Sequence, residues 1–225
     1  MKTIKHIVNL NFKAFSLVSL STLFSLGLLM LRIKLNKSFF MLFLVWNITL
    51  ALIPYIITVY LKNDRNLNKR KLLFWFGIWL LFLPNSAYLM TDLVHLKPSH
   101  DHWFWLDLMV LLSFTLSGLF LFFLSIKEMK YHLEQYFNLK RNTLITIVII
   151  YLSAFGIYLG RFLRFNSWEI ISNSSDLFSH IWILVSEPES HQNAWVFILV
   201  LGTFLLFGNW VFDQCYSSPS TKSCK

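Results

Sequence analysis

Three stretches of this chain carry side chains able to do chemistry, and all three sit at the ends of apolar runs. Leu83 to Leu96 reads LPNSAYLMTDLVHL: it starts apolar, then turns polar at Pro84-Asn85 and Thr91-Asp92, with His95 close behind. Gly160 to Glu169 reads GRFLRFNSWE and supplies Arg161, Arg164, Asn166 and Trp168. Asp107 enters a further apolar run one helical turn after Trp103. Carboxylates near histidine suit general acid–base work, and arginines suit recognition of phosphate or carboxylate. Asp92, His95 and Asp107 are therefore the candidate catalytic groups. Asn85, Tyr88, Arg161, Arg164, Asn166 and Trp168 are the candidate binding groups.

Several of these residues also have a purely structural reading. Pro84 can end a helix, with Asn85 satisfying a carbonyl that the proline frees. Asp92 behind Thr91 can cap a one-turn helix closed by Pro98. Arg161 and Arg164 can reach up to lipid headgroups and anchor a helix end. Asp107 can be the fixed partner of an arginine.

His95, His100, Asp101 and His102 invite a metal reading, because Asp92 and His95 would face one way on a helix. An alternating His-Asp-His in a loop is not a tight zinc signature, and neither H-E-x-x-H nor C-x-x-C occurs. No metal is expected, and purified protein should hold no stoichiometric zinc or manganese. The chain has no P-loop, no G-x-G-x-x-G, no G-x-S-x-G and no kinase signature, so no cofactor is expected either.

The elements that must position these groups follow from composition. Of 225 residues 56% are apolar and only 14% charged, whereas a water-soluble domain carries roughly 25% charged residues. Much of this surface must face something other than water. Six apolar segments are long enough to cross a bilayer, at about 14–31, 39–61, 72–88, 103–126, 143–160 and 194–212. Trp46, Tyr60, Tyr88, Trp103 and Trp210 sit near their ends, as an interfacial aromatic belt requires. The fold class is all-α: a polytopic membrane helix bundle forming one transmembrane domain over residues 1–213, followed by a cytoplasmic tail at 214–225. The first segment follows Lys2, Lys5 and Lys13, lacks a small-x-small cleavage site and stops at Arg32, which predicts a retained signal anchor. Ser175 to Ser186 has a helical apolar stripe too short to cross, which predicts a helix lying flat on the outer leaflet, begun by Ser175 or Asp176 and ended before Pro188.

Orientation comes from charge. Fourteen Lys and Arg residues fall on the side of the N-terminus, the 62–71 and 127–142 loops and the tail, against six (Arg32, Lys34, Lys37, Lys97, Arg161, Arg164) on the other. Positive residues stay cytoplasmic, so both termini are expected inside a cell membrane and the candidate site outside. The net charge of +9 is then a topology signal plus contact with anionic lipid on the cytoplasmic side. The basic residues are dispersed and no nucleic-acid motif accompanies them, so no nucleic-acid partner is expected. Cys215 and Cys224 are read as reduced bystanders in the tail. Neither a homo-oligomeric state nor a membrane protein partner can be read from the residues.

Helical geometry sharpens the site. Gly156 and Gly160 form a small-residue pair that lets helices approach. At ~100° per residue Ser153, Gly156, Gly160 and Arg164 share a face, as do Asp107 and Gly118. If the fifth helix persists past Gly160, Arg164 points into the bundle. The expectation is an ion pair of Asp92 or Asp107 with Arg161 or Arg164.

At these motifs the chain resembles a bacterial family of integral membrane proteins, domain-of-unknown-function family 1361. The resemblance rests on Leu83-Pro84-Asn85 with Tyr88, on Thr91-Asp92-Leu93 and His95-Leu96, and on Trp105 and Asp107. It resumes at Tyr158-Leu159-Gly160-Arg161-Phe162 and Arg164-x-Asn166-Ser167-Trp168. It implies a proline where this chain has Ala87, a departure that should soften the bend after Pro84. It also implies a shared outer-face site, with no reaction assigned. Three classes of function stand: a scaffold or accessory membrane protein, a membrane enzyme acting on lipid headgroups or envelope precursors, and a small transporter. A closed, water-accessible cavity would favour the enzyme, a through-path the transporter, and filled packing the scaffold.

Overall fold

In a hydrocarbon environment every backbone N–H and C=O must find a partner within its own segment, which leaves helices as the solution for an apolar run of this length. The computed structural model describes residues 12–96, 103–137, 143–165 and 174–216. Among them are seven α-helices, two 3₁₀ turns and no strand. The helices are α1 (Phe12–Asn36), α2 (Phe43–Asn63), α3 (Lys69–Tyr88), α4 (Phe104–Phe137), α5 (Thr143–Phe162), α6 (Ser174–Ser186) and α7 (Gln192–Cys215), with 3₁₀ turns at Phe40–Leu42 and Thr91–His95. All but α6 are long and apolar enough to span a bilayer. The all-α expectation, the six spans and the short helix before Pro188 hold. Trp46, Tyr60, Trp103 and Trp210 are exposed near helix ends, as an aromatic belt requires.

The helices group into two compact units, Met1–Lys140 and Arg141–Lys225. In the first, α4 is the hub: 67% of its most apolar stretch is buried, against 22–39% for the other spanning helices. Small hydroxyls and one indole hold its neighbours to it. Ser25 and Ser117 hydroxyls lie 3.1 Å apart between α1 and α4. Trp79 Nε1 donates to Ser125 Oγ at 2.7 Å between α3 and α4. Thr115 Oγ1 donates to the Leu89 carbonyl at 3.1 Å, just past α3. Each such bond is worth about 0.6 kcal/mol and up to ~2 in a membrane, where packing of close surfaces does most of the work.

Gly118 is what allows that packing. A Cβ there would collide with the Ser86 carbonyl oxygen and with Leu89, so α3 and α4 meet backbone to backbone at this point. Ser86 Oγ in turn donates to the Ala51 carbonyl on α2 at 2.8 Å, fixing three helices around one buried seam.

Several boundaries differ from the sequence expectation. Helix α4 runs eleven residues past 126, because buried Met129, His132 and Leu133 continue its inner stripe and no breaker intervenes. Much of the expected 127–142 loop is therefore helix. Pro84 does not end α3: the helix continues through Ala87 to Tyr88. Arg32 does not stop the first span but lies within α1, buried. At the end of the first unit opposite Arg32, Asn68 caps α3 by accepting from the Lys71 backbone N–H at 2.9 Å. Lys71 Nζ is 2.6 Å from Asp64, and that hydrogen bond holds the Asp64 carboxyl below its ordinary pKa. Lys62 pairs with Glu128 at 3.1 Å.

In the second unit α5 packs on α7. Gly202 admits the Tyr151 ring, whose edge would stand 2.5 Å from a Cβ at that position, and the Tyr151 hydroxyl lies 3.1 Å from that of Thr203. On α5, Ser153 and Ile157 are buried, and Gly156 and Gly160 are half-buried. Cys215 is exposed at the end of α7; Cys224 lies outside the described residues.

The two kinds of glycine predict opposite results. Gly118→Val should lower the thermal stability of the detergent-solubilised protein by the equivalent of about 1–3 kcal/mol. Gly77→Ala, where a Cβ meets nothing within 4 Å, should be neutral or slightly stabilising. Both are read from melting temperatures.

Candidate functional site

One end of the first unit brings together polar side chains from four segments of the chain. The C-terminal end of α1, the turn leading into α2, the 3₁₀ turn after α3 and the first turn of α4 all arrive there. Arg32 is the organising residue. Its Nε donates to Asp107 Oδ1 at 2.8 Å, and a terminal guanidinium nitrogen donates to Asp107 Oδ2 at 3.3 Å. The other terminal nitrogen donates to the Ser38 carbonyl at 2.8 Å. One planar cation thus occupies both oxygens of the carboxylate and ties down the α1–α2 turn, the forked geometry that arginine offers and lysine does not. The pair is enclosed, with Arg32 at 4% and Asp107 at 20% exposure.

The second polar contact is built by helical spacing. Phe43 and Asn47 are four apart on α2 and share a face. Asp92 and His95 are three apart on the 3₁₀ turn, where such residues eclipse. The two faces meet: Asn47 Nδ2 donates to Asp92 Oδ2 at 2.8 Å, and the His95 ring stands edge-on to Phe43 at 5.1 Å and to Phe40 at 6.2 Å. Asp92 is 1% exposed. Thr91 Oγ1 donates back to the Tyr88 carbonyl at 2.7 Å. Asp92 therefore does not cap a helix, as the sequence suggested: the N-cap position is Met90, without a side-chain bond, and the Asp92 carboxylate is turned inward onto α2.

The expected partner of Asp107 is corrected. Arg32, a residue the sequence reading did not place in the pair, engages it. The geometric premise for Arg164 also fails, because α5 ends at Phe162 and Arg164 takes a left-handed φ of 60°. Its side chain is exposed. Arg161 lies in the last turn of α5, half-buried. Asn85 and Tyr88 are half-buried on the last turn of α3. Asn166, Trp168, His100, Asp101, His102 and Pro98 lie outside the described residues. Among the described residues no group of three or more His, Cys, Asp and Glu is placed to hold a metal.

Sequence reasoning missed Arg32 and Asn47. Arg32 stands beside Lys34 and Lys37 and reads as one more flanking cation. Asn47 carried the better signal: a lone amide inside a long apolar run is costly unless it reaches a partner on a neighbouring helix.

A family model described as "Protein of unknown function (DUF1361)" matches residues 46–207. That is well over half of the chain, which belongs to this family. No curated protein and no solved structure matches it.

Removing either member of the Arg32–Asp107 pair leaves an enclosed charge without its partner. Arg32→Ala and Asp107→Ala should each cost about 3–5 kcal/mol, measured as detergent-state thermal stability. The double variant should recover part of that loss, because no lone charge remains.

Proposed function

We propose that this chain is a multi-pass membrane protein of the scaffold or accessory kind, with both termini cytoplasmic and its Asp/Arg/His rim on the extracytoplasmic side of the cell membrane. The observation that carries this is the use made of the two carboxylates. Asp107 has both oxygens on Arg32, and Asp92 is buried on Asn47. A general base must offer a lone pair to a substrate proton within hydrogen-bond reach. Here the acidic groups are used to join helix ends, and that use favours a structural rather than a catalytic rim.

The orientation rests on charge at the two ends of the first unit. Lys62, Arg65, Lys69, Arg70, Lys71, Lys127 and Lys130 lie toward the end opposite the Arg32–Asp107 pair. Such an excess is retained in the cytoplasm and favours contact with anionic lipid there. Reporter fusions at Lys225 and after Lys97 are expected to report opposite sides, with the 97 site outside. A cytoplasmic signal at 97 would invert the assignment.

A headgroup-directed enzyme is the second reading, favoured by the burial of an ionisable Asp92 with His95 one 3₁₀ turn away, since buried ionisable residues in membrane proteins are often functional. Asp92→Asn separates the two. It preserves shape and an acceptor for Asn47, so the protein should stay folded with a loss of only about 1 kcal/mol. In cells lacking the native gene it should restore whatever envelope phenotype the deletion causes. Loss of that rescue at an unchanged level of folded protein would make Asp92 an acid–base group and establish the enzyme instead.

A further inference from the structure

Independently of the scaffold reading, the second unit carries a charged feature that packing does not use. Helix α5 ends at Phe162, and after a bend at Leu163 the chain is thrown into the left-handed region at Arg164, with the Phe165 N–H reaching back to the Leu159 carbonyl at 3.1 Å. Glycine normally takes such a position past a helix end. An L-residue there is disfavoured by about 1–2 kcal/mol, and conformational cost of this kind concentrates where a side chain is held for function. Arg164 is exposed, and among the described residues no carboxylate pairs with it.

Its depth is set by α5. Twenty residues at ~1.5 Å each match a ~30 Å hydrocarbon core, so a residue two positions past the end stands at headgroup level. The adjoining helix is built for the same level. Phe165 contacts the His180 ring at 5.7 Å, which joins the turn to α6. On α6, Leu177 and Leu184 face inward and are buried, while Phe178, Trp182 and Val185, at i, i+4 and i+7, form a second apolar stripe that is exposed. Trp182 is 73% exposed and Phe178 63%. A stripe of this kind facing water is costly, whereas at a bilayer interface it is the face that a surface-lying helix immerses, with tryptophan at its preferred depth.

We propose that Arg164, held at the turn between α5 and α6, binds the phosphodiester of a membrane-lipid headgroup while the Phe178/Trp182/Val185 stripe of α6 lies among the upper acyl carbons of the same leaflet. The guanidinium fork matches two phosphate oxygens. Its positive charge favours lipids of net negative charge.

The test uses full-length protein in mild detergent, titrated with phosphatidylglycerol and with a phosphate-free glycosyl diacylglycerol of the same acyl chains, bound lipid being counted by native mass spectrometry. Wild type should prefer phosphatidylglycerol. Arg164→Gly suits the backbone, so its melting temperature should be unchanged or raised. Its apparent affinity for phosphatidylglycerol should fall about tenfold, ~1.4 kcal/mol, with the glycolipid unaffected. Trp182→Ser should weaken both lipids alike. Equal binding of the two lipids by wild type, undiminished phosphatidylglycerol binding by Arg164→Gly, or a lowered melting temperature in that variant would each overturn the proposal. Displacement of the lipid by millimolar inorganic phosphate would make the site one for a soluble anion, and would overturn it as well.

Discussion

A guanidinium taken out of water must meet a carboxylate, and the Arg32–Asp107 pair is where this chain meets that constraint. Separating either charge from its partner in so enclosed a place costs several kcal/mol. The pair therefore fixes the end of α1 against the beginning of α4, and the bond from Arg32 to the Ser38 carbonyl fixes the turn that launches α2. From there the remaining placements follow. Helix α2 brings Asn47 to Asp92, which seats the 3₁₀ turn after α3, and α3 and α4 then lie against each other along Gly118.

The interior of this unit shows how a bundle with little hydrophobic force between its helices is held together. Lipid tails are as apolar as leucine, so close contact and a few shared hydrogen bonds decide the arrangement. Ser25, Ser86, Thr115, Ser117 and Ser125 are all buried on helix faces. Each places a hydroxyl against a neighbouring helix or the segment just after it. Pro84 sits inside α3 two residues before Ser86, so the segment that carries the conspicuous polar motif is also the one most tightly tied to its neighbours.

Much of this was legible in the sequence, and the parts that were not share a cause. Run length and the scarcity of charge revealed the six spans, and Pro188 with the short stripe before it revealed α6. That Asp92 and Asp107 would need polar partners could be seen because a polar residue at the end of an apolar run is costly. Their partners could not. Arg32 reads as a flanking cation because nothing local distinguishes a lysine-like anchor from an arginine turned back into the bundle; only the arrival of α4 beside α1 does. The extent of α4 past 126 was hidden because charged Lys127, Glu128 and Lys130 interrupt its apolar run, although its inner stripe continues. Whether α5 continued past Gly160 as far as Arg164 was left open, because a left-handed residue that is not glycine leaves no mark in the sequence.

The claim most open to direct measurement is which arginine holds Asp107. Magic-angle-spinning NMR of the protein in lipid bilayers, with nitrogen-labelled arginine and carboxyl-labelled aspartate, reads the coupling between a guanidinium and a carboxylate carbon. Assignment by Arg32→Lys and Asp107→Asn then identifies the pair. With Arg32 Nε 2.8 Å from Asp107 Oδ1, the strong guanidinium–carboxylate contact is predicted to vanish in either variant and to persist in Arg161→Lys and Arg164→Lys. A contact that survives Arg32→Lys and disappears with Arg161 or Arg164 would contradict this account of how the first unit is held together.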